Sequence, residues 1–130
     1  MTNYVLKPFD RNLKGTDVDN GKLCKAAKEV MAGHYEANLG GDVYKKRIPL
    51  NRGKSYGARV IIAFKSGQDL FFMNGWVKND VKKNSKEIPD AELAFYKAVA
   101  VQLMCMTPEQ AQIAIKAGKM REVKCDGESS

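Results

Sequence analysis

Three strand-like runs follow one another within about 35 residues: Val43 to Ile48, Ala58 to Lys65 and Leu70 to Val77. They are rich in β-branched and aromatic residues, and turn-forming segments bound them. Ser66-Gly67-Gln68-Asp69 leaves room only for a tight hairpin between the second and third, and Asn51 to Gly57 joins the first two. Neighbouring strands with such short connections pair antiparallel, because a parallel crossover needs a dozen residues or more. An antiparallel meander is therefore the centre of the fold, and everything else must cover it.

The flanking segments supply the cover. Tyr4-Val5-Leu6 reads as a short first strand limited by Pro8, and a helix is expected from about Asp17 to Met31. Thr16 or Asp17 caps that helix, and Leu23, Ala26, Ala27 and Val30 form its apolar stripe. Gly33 and then Asn38 to Asp42 end it with turn residues. A second helix spans about Ile88 to Met106, apolar on more than one side, with Pro89 in its first turn. Thr107-Pro108-Glu109-Gln110 starts a third helix that Gly118 stops, and Met120 to Lys124 adds an edge strand. The expected class is α+β: a small, mostly antiparallel sheet with helices packed on one face and basic residues on the other. Residues 1–130 form one domain, with a helical C-terminal extension from about 107.

Charge narrows the function. The chain carries net +7, and residues 44–86 hold 11 basic residues against Asp69 and Asp80. That segment is net +9 and the rest net −2. A one-sided positive surface attracts phosphate backbones, anionic membranes or acidic proteins, or is simply a solvated lysine face. The amino terminus has no secretory pattern and no span is long and apolar enough to cross a membrane. Cys24, Cys105 and Cys125 have no C-x-x-C spacing, so neither a disulfide framework nor a thiolate metal site is expected, and a reducing cytoplasm is the natural setting. His34 is the single histidine, which excludes a His-His nuclease pair, a multi-histidine metal site and Ser-His-acid catalysis.

Strand alternation places Lys45 and Arg47 on one face and Tyr44, Lys46 and Ile48 on the other. Arg59 begins the next strand and Lys78 follows the third, so four cations can converge on one concavity, or twist can splay them into solvent. Like charges brought together cost stability unless an anion joins them, so convergence points to phosphate. The loop with Arg52, Lys54 and Tyr56 can present N–H groups to an anion, but Gly53-Lys54-Ser55 lacks the earlier glycine of a nucleotide-binding P-loop. Tyr44, Tyr56 and Trp76 are interleaved with the cations and can stack on unpaired bases, although Trp76 suits a core better.

The runs Leu39-Gly40-Gly41-Asp42-Val43-Tyr44-Lys45-Lys46-Arg47, Arg52-Gly53-Lys54-Ser55-x-Gly57-x-Arg59, Ile62-Ala63-Phe64-Lys65 and Phe71-Phe72-x-x-Gly75-x-x-Lys78-Asn79 resemble the RelE/HigB toxins of bacterial type II toxin-antitoxin systems, most closely the HigB-like branch. The segment from Ala114 to Val123 is similar to that branch too. The resemblance implies a microbial RNase-like fold that enters the ribosome and cuts messenger RNA. It needs no metal or other cofactor and uses the RNA 2′-hydroxyl as nucleophile. By position Lys45 and Arg47 look like the paired strand cations, with Lys45 the base. Arg59 looks like the ligand of the scissile phosphate, and Lys54 and Lys78 are similar to cations at the rim. A lysine among cations sheds its proton more readily, and arginines stabilise charge on the transition state. Tyr44, Lys46, Arg52, Tyr56, Asn79, Lys82 and Lys83 are the expected RNA contacts.

Two departures stand out. Asn79 replaces an arginine that RelE has after the lysine matching Lys78, and the late tyrosine that stacks on RNA in RelE is missing. The general acid is thereby unassigned, with Lys82, Lys83 or a loop residue as substitutes. A ParE-like inhibitor of DNA gyrase and an inactive nucleic-acid-binding module are the rivals. The resemblance further implies a helix-turn-helix antitoxin of the HigA kind, with ribosome and mRNA as the other partners, no membrane, and a cytoplasmic location.

Overall fold

In a computed structural model, which describes residues 1–51, 57–78 and 88–125, the chain forms β1 (Asn3–Leu6), α1 (Lys7–Asn12), α2 (Asn20–Met31), β2 (Ala37–Gly40), β3 (Val43–Pro49), β4 (Gly57–Phe64), β5 (Leu70–Lys78), α3 (Asp90–Met104), α4 (Pro108–Lys116) and β6 (Met120–Val123). The sheet order is β2-β3-β4-β5-β1-β6, antiparallel except where β1 lies parallel to β5. The α+β class, the mostly antiparallel sheet and the central meander are as the sequence predicts. Among the described residues no helix is long and apolar enough to cross a membrane.

Alternation along β4 divides the interior. Ala58, Val60, Ile62 and Phe64 pack with Phe9 and Leu13 of the first helical turn region and with Leu23, Ala26, Ala27 and Val30 of α2. Thus α1 and α2 cover one face. Ile61 and Ala63 look the other way and join Val43, Phe71, Met73, Tyr96, Ala100 and Leu103, so that α3 covers the opposite side over this part of the sheet. The outer surface of α3 is left open, with Phe95 61% and Val101 62% exposed, although its all-round apolar sequence predicts fuller cover.

A bulge in β5 serves both interiors. Ile61 pairs with Asn74 but Ile62 pairs with Phe72, leaving Met73 as the extra residue. Without it Phe72 and Asn74 would share a face; with it Phe72 enters the α1–α2 core while Asn74 faces α3. Gly75, just after the bulge, is a spacing device. A Cβ there would lie 3.0 Å from Leu13 Cδ1, 3.1 Å from the Arg59 carbonyl oxygen and 3.1 Å from Val60 Cγ1. Only glycine lets Leu13 reach the sheet.

Three elements depart from the sequence reading. Pro8 does end β1, but it also opens α1, where the missing N–H belongs to the unbonded first turn and costs nothing. Of Asn38 to Asp42, read as turn, the first three residues belong to β2, and the reversal is a tight hairpin with Gly41 and Asp42 at φ +61° and +65°. Cys24 and Cys125, in contrast to the expectation of free thiols, form a disulfide across 101 residues, with Cα atoms 5.7 Å apart. Pairing of β6 with β1 returns the chain beside α2, a proximity invisible in cysteine spacing.

Gly75→Ala is expected to overpack the α1 contact and destabilise the fold by about 1–3 kcal/mol, read as a lowered chemical-denaturation midpoint with an unchanged slope.

Candidate functional site

Arg47 of β3 stands directly opposite Arg59 of β4, and Arg59 stands opposite Trp76 of β5. Residues paired this way share a face, with Cβ atoms roughly 5 Å apart in general. Lys45 precedes Arg47 by two and shares that face, in the adjoining row Lys45, Ile61, Asn74. Lys45, Arg47, Arg59 and Trp76 are all partly exposed. The structure therefore brings together three of the expected site cations, along the stretch of sheet beyond the Val43, Ala63 and Phe71 positions packed in the α3 cluster.

The local backbone shapes this row. The Arg47 side chain lies over Gly57, where a Cβ would sit 3.0 Å from its Nε and 3.3 Å from the Ile48 carbonyl oxygen. The Arg47 backbone N–H donates to Glu36 Oε1 at 2.7 Å, a carboxylate replacing the carbonyl that a longer β2 would offer. At the end of the adjoining row Asn74 Nδ2 donates to the Tyr96 hydroxyl at 2.9 Å, and that hydroxyl donates to Glu92 Oε2 at 2.8 Å. Burial first, and then the Glu92 carboxylate, push the Tyr96 hydroxyl up to about 12. Tyr96 therefore stays a neutral donor and pins α3 to the sheet beside the cations. Of these, Trp76 was weighed from sequence as a base-stacking or a core residue, and it is partly buried against the α3 cluster; the Gly57–Arg47 contact and the Asn74–Tyr96–Glu92 chain were not picked out, a glycine inside a strand being the one available signal.

Two of the expected RNA contacts lie on the opposite face. Lys46 is buried, its Nζ 2.8 Å from Glu29 Oε1 of α2 and donating to the His34 carbonyl oxygen at 3.0 Å. Tyr44 packs beneath the sheet, its ring centroid 4.7 Å from Tyr35 and 6.4 Å from Phe64, and burial raises its hydroxyl pKa. Neither joins the cation row. Lys78 pairs in register with Gly57. Arg52, Lys54, Tyr56, Asn79, Lys82 and Lys83 lie outside the described residues.

A face with two arginines opposite each other, a lysine in the next row and an indole alongside has the donors to hold a phosphate and a surface on which a base can stack. The sequence model of the RelE toxin family, described as the RelE toxin of the RelE / RelB toxin-antitoxin system, matches residues 1–123. No curated relative and no solved structure matches the chain.

The Glu29–Lys46 pair gives a pH-dependent prediction. The hydrogen bond and charge of Lys46 hold the Glu29 carboxyl below its ordinary 4.5. A lowered folded-state value means stabilisation that is fully present above that ordinary value and lost as pH falls through the lowered one. Glu29→Gln should therefore lower the melting temperature by a few degrees near pH 7, and the gap from wild type should shrink as the pH is taken below the ordinary value of 4.5 in thermal melts.

Proposed function

The chain belongs to the RelE toxin family, and from that premise we propose that it is the toxin of a toxin-antitoxin pair that cleaves messenger RNA on the ribosome. The observation that carries this reading is the register that sets Arg47 opposite Arg59 with Lys45 beside them. Like charges facing each other across a strand pair are unfavourable by themselves, and a bound phosphate turns that repulsion into attraction. Nucleic-acid chemistry also fits the net +9 of residues 44–86.

In the proposed reaction the RNA 2′-oxygen attacks its neighbouring phosphorus, and the bond to the 5′-oxygen of the next nucleotide breaks. A 2′,3′-cyclic phosphate and a 5′-hydroxyl result, with no external water or redox partner. Arg59 and Arg47 hold the non-bridging oxygens and take up the charge that grows on them in the transition state. Lys45 accepts the 2′-hydroxyl proton, and the departing 5′-oxygen takes its proton from a general acid for which Lys82, Lys83 or a loop residue are the candidates. Lys54 and Lys78 stay assigned to the rim, with Trp76 supplying the stacking surface that the missing late tyrosine would provide. Tyr44 and Lys46 are left out of the reaction because they build the opposite core. Within the family the reading is the HigB-like branch, with a helix-turn-helix antitoxin of the HigA kind and a cytoplasmic site of action.

Inducible expression of wild type and Arg59→Ala, with growth and mRNA 5′-end mapping followed together, tests this. Wild type should arrest growth and create new ends at in-frame codons, while Arg59→Ala should lower cleavage by about 10²–10³-fold and leave thermal stability near wild type. Gly57→Ala, which displaces the Arg47 guanidinium without removing it, should fall between the two. Arrest with intact messages would transfer the protein to the gyrase-inhibiting reading, and no arrest from a folded wild type would leave an inactive binding module.

A further inference from the structure

A cavity of about 370 Å³ lies between α2 and β3, on the opposite side of the sheet from Lys45 and Arg59. Its floor is apolar, formed by the buried Ala26, Ile48 and Leu50 with Pro49 at the edge. Lys22 and Lys25 rise from α2 on one side, and Arg47 lines the other. The size falls within the usual range for a small-ligand site.

Its two carboxylates are already engaged. Glu29 holds the ammonium of Lys46, and Glu36 accepts the Arg47 backbone N–H. Lys22 leans on Asp17 at 3.6 Å, and Lys25 is exposed. The groove thus offers an incoming ligand an apolar floor beneath a cationic lip. Arg47 lines the groove and also stands in the Arg47–Arg59 row, so one residue of β3 borders both surfaces.

We propose that this groove is a second nucleotide subsite for the same single-stranded RNA, with a base on the Pro49–Leu50 floor and its phosphate on Lys22 and Lys25. The inference rests on the RNA-cleaving reading above and adds the path of the strand away from the cut. An acidic peptide is the weaker occupant. It would bind by adding a strand to the β3 edge, whose outward positions past Lys45 are Arg47 and Pro49. The Arg47 N–H is taken by Glu36 and Pro49 has no N–H to give. A nucleic-acid strand needs neither donor.

The test uses an eight-nucleotide single-stranded RNA carrying 2′-O-methyl groups, followed by fluorescence anisotropy over a range of salt, beside ribosome-dependent cleavage. The variants are Lys22→Gln/Lys25→Gln, the corresponding double arginine, Lys25→Gln alone, which keeps the Lys22–Asp17 pair, and Arg59→Ala. The double glutamine variant should bind about 10-fold more weakly, with the dependence of log K on log salt flattened by about 1–2. Double arginine should restore both, and Lys25→Gln should lie between. Unchanged binding in the double glutamine variant while Arg59→Ala loses cleavage overturns the subsite and leaves the nuclease reading standing. Wild type that neither binds the RNA nor cleaves overturns both. If the glutamines abolish binding of a polyglutamate peptide and not of the RNA, the groove is a protein-binding site and the proposal fails.

Discussion

The register between β3 and β4 is the constraint on which the rest depends. Side chains alternate with a period of two, so a slip by one residue would send every side chain of β3 to the other face. The observed pairing puts Ile48 into the α1–α2 core, Val43 into the α3 core, and Arg47 opposite Arg59. Burial enforces this register. A slipped β3 would push Arg47 and Lys45 into the α2 interface and lift Ile48 into water, losing apolar burial worth about 1.5–3 kcal/mol for that side chain alone before the desolvated charges are counted. The repulsion between Arg47 and Arg59 is small beside that penalty, so the hydrophobic pattern can hold two like charges together that would otherwise separate.

The same alternation explains how neighbouring lysines take opposite jobs. Lys45 and Lys46 are one residue apart in a run of three cations. Lys45 faces the open row, whereas Lys46 turns beneath the sheet and is kept there by Glu29 and the His34 carbonyl. A buried ammonium is tolerated only with such partners. The pair ties α2 to the strand that presents Lys45 and Arg47, and Glu36 secures the next residue from the other side. The site cations therefore stand on a strand fastened through its neighbours rather than on a free edge.

Much of this was legible from residue pattern because it depends on local spacing. The three central strands, the apolar stripe of α2, the existence of α3, the Thr107 capping box of α4 and the β6 edge follow from period, caps and turn residues. But α2 begins at Asn20 with Asp19 rather than Thr16 or Asp17 as its cap, and Pro89 is the cap of α3 rather than part of its first turn. The shared face of Lys45 and Arg47 followed from alternation, and the alternation also warned that Tyr44 and Lys46 face the other way. What was not legible depends on partners distant in sequence. No spacing rule says that β1 inserts beside β5, that Gly75 must admit Leu13, or that Cys125 returns to Cys24. Charge counts treat Lys46 as one more surface cation, since its acid lies 17 residues upstream on a helix whose rotation is fixed only by packing. Residues 38–40 were misread for a related reason: a four-residue strand beside a glycine turn has no periodicity of its own and exists through its pairing with β3.

The disulfide stands in tension with the proposed cytoplasmic site of action, where thiols are ordinarily kept reduced, and its position decides what reduction would cost. Cys24 and Cys125 pack against the α1–α2 core, while Lys45, Arg47 and Arg59 occupy the other face of the sheet. Closing a loop of this length is worth about 4–5 kcal/mol in the chain-entropy description, and nearly all of that acts on the unfolded chain rather than on the geometry of the folded one. Reduction would thus lower the stability of the fold as a whole while leaving the β3–β4 register in place, because that register is held by burial on both faces of the sheet and by the Glu29–Lys46 pair. The cation row does not depend on the bridge, and reducing it costs the protein stability without taking apart its site.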